Sequence, residues 1–231
     1  MLSKCAPPTK HADGRALAVP LTRRQLQAAE RLHSRMKQWH VADAALRQVA
    51  ERFPGFDATA CLVKVVSLNG LYGTNLYAIH RMAAHITDVM SLSGVGPDVD
   101  LVEQIARVPK TATDSKQRHH RSFGSKFCHF FVDAARFPIM DSFAVQTLQR
   151  HLGRRNIIRD DARRYGAFVE NLRTLRQLSG LRPSTQELDR YLWIAGAIHA
   201  RQRDPNVPLN AELAAMMVRP SARADLRVIA G

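Results

Sequence analysis

Apolar residues recur three and four positions apart along most of the 231-residue chain, a spacing that places them on one face of an α-helix. Thr22 with Gln25 and Ser184 with Glu187 have the spacing of capping boxes, which mark helix starts. Glycine and proline interrupt the helical pattern, and no alternating strand pattern appears. The sequence therefore predicts an all-α fold of about ten helices.

The two ends of the chain lack a sustained helical pattern. Residues 1–20 contain Pro7, Pro8, Gly14 and Pro20, which predicts a flexible leader. Residues 21–218 are predicted to form the helical domain. Residues 219–231 are predicted to be an arginine-bearing, frayed tail.

The segment from Ser122 to Leu148 combines a turn signal with charged residues and a strongly apolar face. Ser122-Phe123-Gly124 predicts a tight turn, followed by a helix that opens at Lys126. Pro138 cannot continue that helix, so the chain must turn before Asp141, which is placed to begin the next helix. We expect this turn to bring the Asp141 carboxylate back toward Lys126. The segment 119–148 is therefore the candidate catalytic region.

The composition points to a polyanionic partner. Lys and Arg number 34 against 20 Asp and Glu, a formal charge of +14 spread along the chain. A basic protein without a nucleic-acid partner is the alternative. No apolar run approaches the length of a membrane helix and no signal peptide is evident, so a cytoplasmic protein without a membrane partner is expected.

The three cysteines do not form a metal-binding or disulfide pattern. Cys5, Cys61 and Cys128 are far apart, without a C-x-x-C pair or closely spaced histidines. This spacing argues against a disulfide framework, a structural zinc site and a cysteine-ligated iron–sulfur cluster. No metal or organic cofactor is expected.

The central segment resembles the helix-hairpin-helix DNA glycosylases, particularly their 8-oxoguanine branch. In that family a G-V-G hairpin is followed by one residue and a helix-opening lysine, and an aspartate in a Pro-x-Asp context opens the next helix. Ser122-Phe123-Gly124, Ser125, Lys126 and Asp141 match these positions in order. Ser122 replaces the first hairpin glycine, and the interval of 15 residues from Lys126 to Asp141 is shorter than usual.

The resemblance implies two lobes around a DNA-binding cleft and assigns roles to the two charged residues. Asp141 would stabilise the positive charge that develops on the sugar, and Lys126 would attack the sugar and form a Schiff base. Asp141 as a helix cap and Lys126 as a phosphate contact are the alternatives.

The resemblance also implies contacts with the DNA backbone. Ser122, Gly124 and Ser125 would present hairpin backbone groups to a phosphate, and the hairpin carbonyls would hold a monovalent cation. Phosphate contacts are also expected at the basic residues that precede the hairpin, His119, His120 and Arg121. Exposed loop residues without a role are the alternative there.

Two further regions are expected to contact DNA during nucleotide flipping, one by filling the gap in the base stack and the other by binding the flipped base. A Gly-rich junction resembles the family's stack-filling loop, with Tyr72, Thr74 and Asn75 as wedge candidates. A C-terminal helix resembles one that contributes to the base pocket, with Tyr191 and Trp193 as candidates. A capped helix junction and ordinary core aromatics are the respective alternatives.

The expected function is that of a monomeric DNA glycosylase acting on double-stranded DNA. It would flip and excise a damaged or modified base, leaving an abasic site, with lyase activity if Lys126 is the nucleophile. An oxidised purine is the direct inference, and a hypermodified phage pyrimidine in a defence enzyme is the specialised one. A non-enzymatic helical DNA-binding protein and a helical protein-interaction module are the rivals.

Overall fold

The computed structural model describes residues 15–92, 98–110 and 118–231, and within these ranges the chain is helical without strands. The predicted all-α class is confirmed. Residues 1–14 of the predicted leader lie outside the described residues. The α-helices are α1 (Arg23–His33), α2 (Lys37–Arg52), α3 (Ala58–Tyr72), α4 (Ile79–Ser91), α5 (Val99–Ala106), α6 (Arg121–Phe131), α7 (Ser142–Asn156), α8 (Arg164–Ser179), α9 (Thr185–Arg203), α10 (Ala211–Met217) and α11 (Arg223–Ala230).

Local side-chain chemistry fixes several helix starts as the sequence predicts. Thr22 and Ser184 each form a complete capping box, at the N-termini of α1 and α9. Asp141 is the N-cap of α7 and accepts a hydrogen bond from the Ala144 backbone N–H at 2.8 Å. Across the described ranges, none of the helices combines the length and apolarity that crossing a membrane requires.

The described residues next to the two chain ends, 15–21 and 219–231, make more contacts than the sequence indicates. Ala18 and Val19 donate backbone hydrogen bonds to the carbonyl of His151 in α7, and Leu21 is buried. At the other end, α11 packs on α1, where Asp225 accepts hydrogen bonds from Arg31. The prediction of a flexible leader is therefore wrong for residues 16–19, and that of a frayed tail is wrong for residues 223–230.

The turn predicted at Ser122-Phe123-Gly124 is wrong, because these residues lie in the first turns of α6. Continuing the helix through them puts Phe123 on the same buried face as Phe127 and Phe131. Gly124 lets α6 approach α5 closely, since a Cβ there would lie only 3.0 Å from the carbonyl oxygen of Val102. Burial of the apolar face and this close contact favour helix over hairpin.

Helix α6 also ends earlier than predicted. It stops at Phe131, and the next residues form a turn in which the Asp133 carboxylate accepts hydrogen bonds from two backbone N–H groups. Phe137 and Pro138 follow this turn in an extended connection that leads to Asp141. The connection, residues 137–141, passes beside α6 and organises the candidate site.

Candidate active site

The hydroxyl of Ser125 attaches the 137–141 connection to α6. Ser125 Oγ accepts a hydrogen bond from the Met140 backbone N–H at 3.0 Å and lies 3.4 Å from the Met140 carbonyl oxygen. Lys126 and Asp141 are the residues that follow this pair in the chain. The two side chains singled out in the sequence are therefore carried by neighbouring stretches of backbone.

Lys126 is a buried amine. Its side chain lies in α6 with only 8% of the residue exposed, and Nζ donates a hydrogen bond to Ser122 Oγ at 2.8 Å. Burial lowers the pKa of Lys126 below its ordinary value of 10.5, while the charges of Asp141 and Asp189 act in the opposite direction. Among the described residues, no carboxylate forms a direct ion pair with this amine. Desolvation is thus the factor that favours the neutral, nucleophilic form.

Asp141 is half-buried at the start of α7. One carboxylate oxygen, Oδ1, caps the helix through Ala144. The other carboxylate oxygen, Oδ2, takes no part in that cap. The same side chain therefore stabilises α7 and contributes negative charge beside Lys126.

Asp189, in the second turn of α9, is a third member of the cluster that sequence reasoning missed. Its Oδ2 accepts a hydrogen bond from the Ile139 backbone N–H at 3.1 Å, whereas its buried Oδ1 has no hydrogen-bond partner. Burial raises the pKa of Asp189 well above its ordinary value of 3.8, and Asp141 raises it further. The raised pKa favours the uncharged form of Asp189, which lies within the electrostatic reach of Lys126.

His129 and Tyr165 complete the surroundings of the 137–141 connection. His129 Nδ1 lies 2.9 Å from the Phe137 carbonyl oxygen and 3.7 Å from Asp189 Oδ2. Because a carbonyl only accepts, Nδ1 carries the proton and Nε2 is the unprotonated nitrogen of the neutral ring, consistent with a pKa lowered by burial. Tyr165 donates to the Pro138 carbonyl at 2.9 Å.

The phosphate-binding interpretation of the segment 119–125 changes in the structure. Gly124 and Ser125 are buried in α6, and the Gly124 N–H donates to the His120 carbonyl. The hairpin expected to present Ser122, Gly124 and Ser125 to a phosphate and its carbonyls to a cation is therefore replaced by a helix, in which the Gly124 N–H is used internally. Phosphate contact by the Ser122 backbone, in the first turn of α6, stays a prediction. The Ser122 side chain accepts the hydrogen bond of Lys126.

Arg121 is also committed elsewhere. Its guanidinium forms an ion pair at 2.8 Å with Glu103, whose other oxygen accepts from the Tyr165 backbone N–H. The predicted phosphate contact of Arg121 is wrong, because the side chain joins α5, α6 and α8 in a largely buried network. His119 is exposed and His120 half-buried, and burial together with neighbouring arginines lowers the pKa of each. Both remain candidates for contacts with a ligand.

The loop from Gly73 to Ala78 presents a different aromatic residue from the one predicted. Tyr72 donates a hydrogen bond to Asp43, and its ring packs between Trp39 and Phe130. Its assignment as a wedge is therefore wrong, whereas Tyr77, which sequence reasoning passed over, is 88% exposed. No other large hydrophobic residue in the described ranges is as exposed.

A network of hydrogen bonds fixes this loop. Asn69 Oδ1 accepts from Thr74 Oγ1 at 2.7 Å and from the Leu76 N–H at 2.9 Å. Asn75 is exposed and adopts a left-handed conformation, with φ of 53°. Thr74 is thus held within the loop, while Asn75 remains available beside Tyr77.

The two base-pocket candidates lie in different environments. Tyr191 is buried, and its hydroxyl lies 2.7 Å from Nε2 of His151, so its assignment to a base pocket is wrong. Trp193 is partly buried and packs on Trp39, with ring centroids 4.5 Å apart. Trp39 also contacts Tyr72, so Tyr72, Trp39 and Trp193 form one aromatic cluster.

Neither a metal centre nor a cysteine-based site is evident in the ranges that the structure describes. No group of three histidine, cysteine or acidic side chains is placed to hold a metal ion there. Cys61 and Cys128 are buried thiols, and burial raises the pKa of both. Neither thiol is therefore poised as a nucleophile.

Part of the chain is similar to a known protein family. Residues 23–135, just under half of the chain, match the family model of the HI_0787_N N-terminal domain. A Haemophilus influenzae protein, named only as uncharacterized, is 31% identical over 133 residues, which cover 55% of this chain and 62% of the relative. The chain thus spans about three-fifths of that relative's length. No solved structure matches.

The matched domain includes Lys126 but ends before Asp141 and Asp189. The candidate site therefore combines a residue inside the family match with residues beyond it. These matches assign no activity to the site.

Replacing Asp189 by Asn should make unfolding stability less dependent on pH. In the native state the Asp189 carboxyl group keeps its proton above pH 3.8, whereas in the unfolded state it loses the proton there. Asp189 therefore destabilises the wild type increasingly as pH rises toward its raised native pKa. Asp189→Asn keeps an oxygen for the Ile139 N–H and carries no charge. Urea unfolding from about pH 4 to about pH 8 should show the stability of the variant rising relative to that of wild type, then levelling off.

Asp88→Asn, at an exposed position of α4, is the matched control and should show a smaller change with pH. A stability difference for Asp189→Asn that stays constant or shrinks with rising pH would contradict the assignment of an uncharged carboxyl group.

Proposed function

We propose that this protein is a DNA glycosylase that excises a damaged or modified base from double-stranded DNA. The observation that carries the proposal is the shared position of the buried Lys126 amine and the half-buried Asp141 carboxylate beside the 137–141 connection. A two-lobed architecture like that of the helix-hairpin-helix glycosylases belongs to the proposal, with α6 in the place of that family's hairpin.

The proposed reaction begins with cleavage of the glycosidic C1′–N bond, whose electrons leave with the base. C1′ becomes positive, and the Asp141 carboxylate lowers the barrier by attracting that charge. At a separation of ~4 Å and an effective dielectric constant near 20, the attraction is on the order of 4 kcal/mol, or about a thousandfold in rate.

The proposed nucleophile is the Lys126 amine. Its lone pair forms a C–N bond at C1′, and the nitrogen then loses a proton, so the amine must be uncharged when it attacks. Burial supplies this condition, and the hydrogen bond from Nζ to Ser122 orients the amine without neutralising a carboxylate. Opening of the sugar ring then gives a Schiff base, which permits strand cleavage. If a water molecule attacks C1′ instead, the product is an abasic site.

Asp189 supports this chemistry by its protonation state. A charged carboxylate at this position would favour the protonated form of Lys126, whereas the uncharged carboxyl group does so much less. Asp189 also holds the Ile139 N–H, two residues before Asp141. It is thus a positioning residue for the 137–141 connection.

The exposed loop residues and the net charge suit double-stranded DNA as the partner. The formal charge of +14 favours a polyanion, and base excision from a duplex requires that the gap left by the flipped nucleotide be filled. Tyr77 is exposed on a loop braced by Asn69, and the adjoining Tyr72 contacts Phe130 of α6. Tyr77 and Asn75 are therefore the proposed wedge. The proposed substrate is an oxidised purine or a hypermodified phage pyrimidine, and the proposed location is the cytoplasm.

A non-enzymatic helical DNA-binding protein is the second candidate. It is favoured by the observation that Asp141 already has a structural role as the cap of α7. In that case Lys126 is a structural amine, and the positive charge of the chain alone explains affinity for DNA.

Asp141→Asn separates the two candidates, because asparagine is as good a helix cap as aspartate but has no charge. Wild type should release free base from at least one duplex in a panel that carries oxidised purines and hypermodified pyrimidines. Asp141→Asn should lose about a thousandfold in the single-turnover rate while retaining DNA affinity. Mass spectrometry of the released base provides the readout.

Asp57→Asn is the matched control, since Asp57 caps α3 through Thr59 and Ala60. It should excise bases at the wild-type rate. Equal rates for wild type and Asp141→Asn would reject the catalytic role of Asp141, and tight, salt-sensitive binding without release of any base would favour the non-enzymatic protein.

Tyr77→Ala should weaken nucleotide flipping without destabilising the fold, because the ring is exposed. The readout is the fluorescence of 2-aminopurine placed beside the target base, which should rise when wild type binds and rise much less when Tyr77→Ala binds. Tyr77→Phe should behave like wild type because it keeps an aromatic ring. Val41→Ala, at another exposed apolar position, is the control. An undiminished fluorescence change with Tyr77→Ala would exclude this residue as the wedge.

A further inference from the structure

A positively charged cleft lies on the chain outside the Lys126 cluster. It has a volume of about 390 Å³ and is bounded by residues 135–138, which include the first two residues of the 137–141 connection, by one face of α8, by the start of α9 and by Asp98. Three arginines contribute to its lining, Arg136, Arg173 and Arg176. Arg136 and Arg173 are exposed at the rim, and Arg176 is half-buried.

The half-buried guanidinium of Arg176 lacks a charged partner in direct contact within the described ranges. Its NH2 group lies 3.5 Å from the hydroxyl of Thr185, a weak hydrogen bond. The carboxyl group that acts on it electrostatically is Asp189, and burial raises the pKa of Asp189 well above its ordinary value, which weakens this interaction. A buried cation without an ion pair favours the binding of an anion.

The start of α9 adds to the positive potential. Thr185 is the first residue of α9 and lines the cleft. The first N–H groups of a helix have no acceptor within it, and a helix of 19 residues presents a positive dipole end there. The positive end of the α9 dipole thus lies at the same cavity as the guanidinium groups.

The nearby carboxylates reduce this charge without cancelling it. Arg173 pairs with Glu170, and Glu187 folds back onto the N-cap of α9. Asp98 also lines the cleft, where its Oδ1 accepts from the Asp100 N–H at 2.9 Å. Arg136 has no side-chain partner among the residues described, and Arg173 contacts Glu170 through NH1 alone, so all three guanidinium groups keep donors for an anion.

We propose that this three-arginine cleft is a binding site for a phosphate group. Guanidinium groups match phosphate oxygens through paired N–H donors, and the volume accommodates a phosphate with part of an attached nucleoside. The phosphate belongs either to a free phosphate monoester or to a nucleic-acid strand. This inference does not rest on base excision by Lys126 and Asp141.

The test uses calorimetric titration of the full chain at a constant ionic strength of about 0.15 M, where dispersed surface charge is screened. The probes are orthophosphate, a deoxynucleoside 5′-monophosphate and a dinucleotide with a single phosphodiester. Wild type should bind orthophosphate saturably with one site, and Arg136→Gln combined with Arg173→Gln should weaken that binding by about tenfold, because charge-assisted contacts are lost. Arg176 is left intact so that the half-buried part of the cleft is preserved.

The control is Arg23→Gln combined with Arg24→Gln, two exposed positions at the start of α1 with the same change in net charge. Its affinity for orthophosphate should stay within about twofold of wild type, since dispersed surface charge acts weakly through salt. Asp141→Asn should bind orthophosphate like wild type, which separates this site from the proposed excision chemistry.

The relative affinities of the probes identify the source of the phosphate. Tighter binding of orthophosphate and the monophosphate supports a free monoester ligand, and comparable binding of the dinucleotide supports a nucleic-acid strand. Absence of saturable binding to wild type, or equal weakening in the cleft and control variants, would overturn the proposal.

Discussion

The burial of Lys126 and Asp189 beside one extended connection is the constraint on which the candidate site depends. Each group is less favourable in its charged form there than in water, which pushes the amine and the carboxyl group toward neutrality. The connection itself is held from two helices, by Ser125 of α6 and by Asp189 of α9. Packing of the helices thus determines the chemistry available to Lys126.

A second buried lysine, Lys64, also has its pKa lowered by burial, so burial alone does not distinguish Lys126. Lys64 donates a hydrogen bond to the Gly55 carbonyl at 2.7 Å and lies 4.0 Å from the centre of the Phe56 ring. The carbonyl and the aromatic face both stabilise a cation. Lys126 has a neutral hydroxyl partner instead, and it lies beside Asp141 at the start of α7, so the two lysines occupy sites of different character.

The sequence predicts the helical class, the capping boxes at Thr22 and Ser184 and the cap formed by Asp141, because these features depend on residues a few positions apart. The hairpin prediction fails because the apolar spacing of Phe123, Phe127 and Phe131 outweighs the local turn signal at Gly124. Asp189 lies far from Lys126 in the sequence, and only tertiary packing brings it near. An acidic residue between the buried Leu188 and Tyr191 of α9 was the available signal.

The pKa of the Lys126 amine, measured by nuclear magnetic resonance, tests the central claim most directly. The chain contains only seven lysines, so side-chain labelling and a Lys126→Met spectrum identify the signal. The amine should titrate below the ordinary value of 10.5, and Asp141→Asn should lower its pKa further, because the charge of Asp141 acts to raise it. Titration of Lys126 at or above that ordinary value would contradict the account.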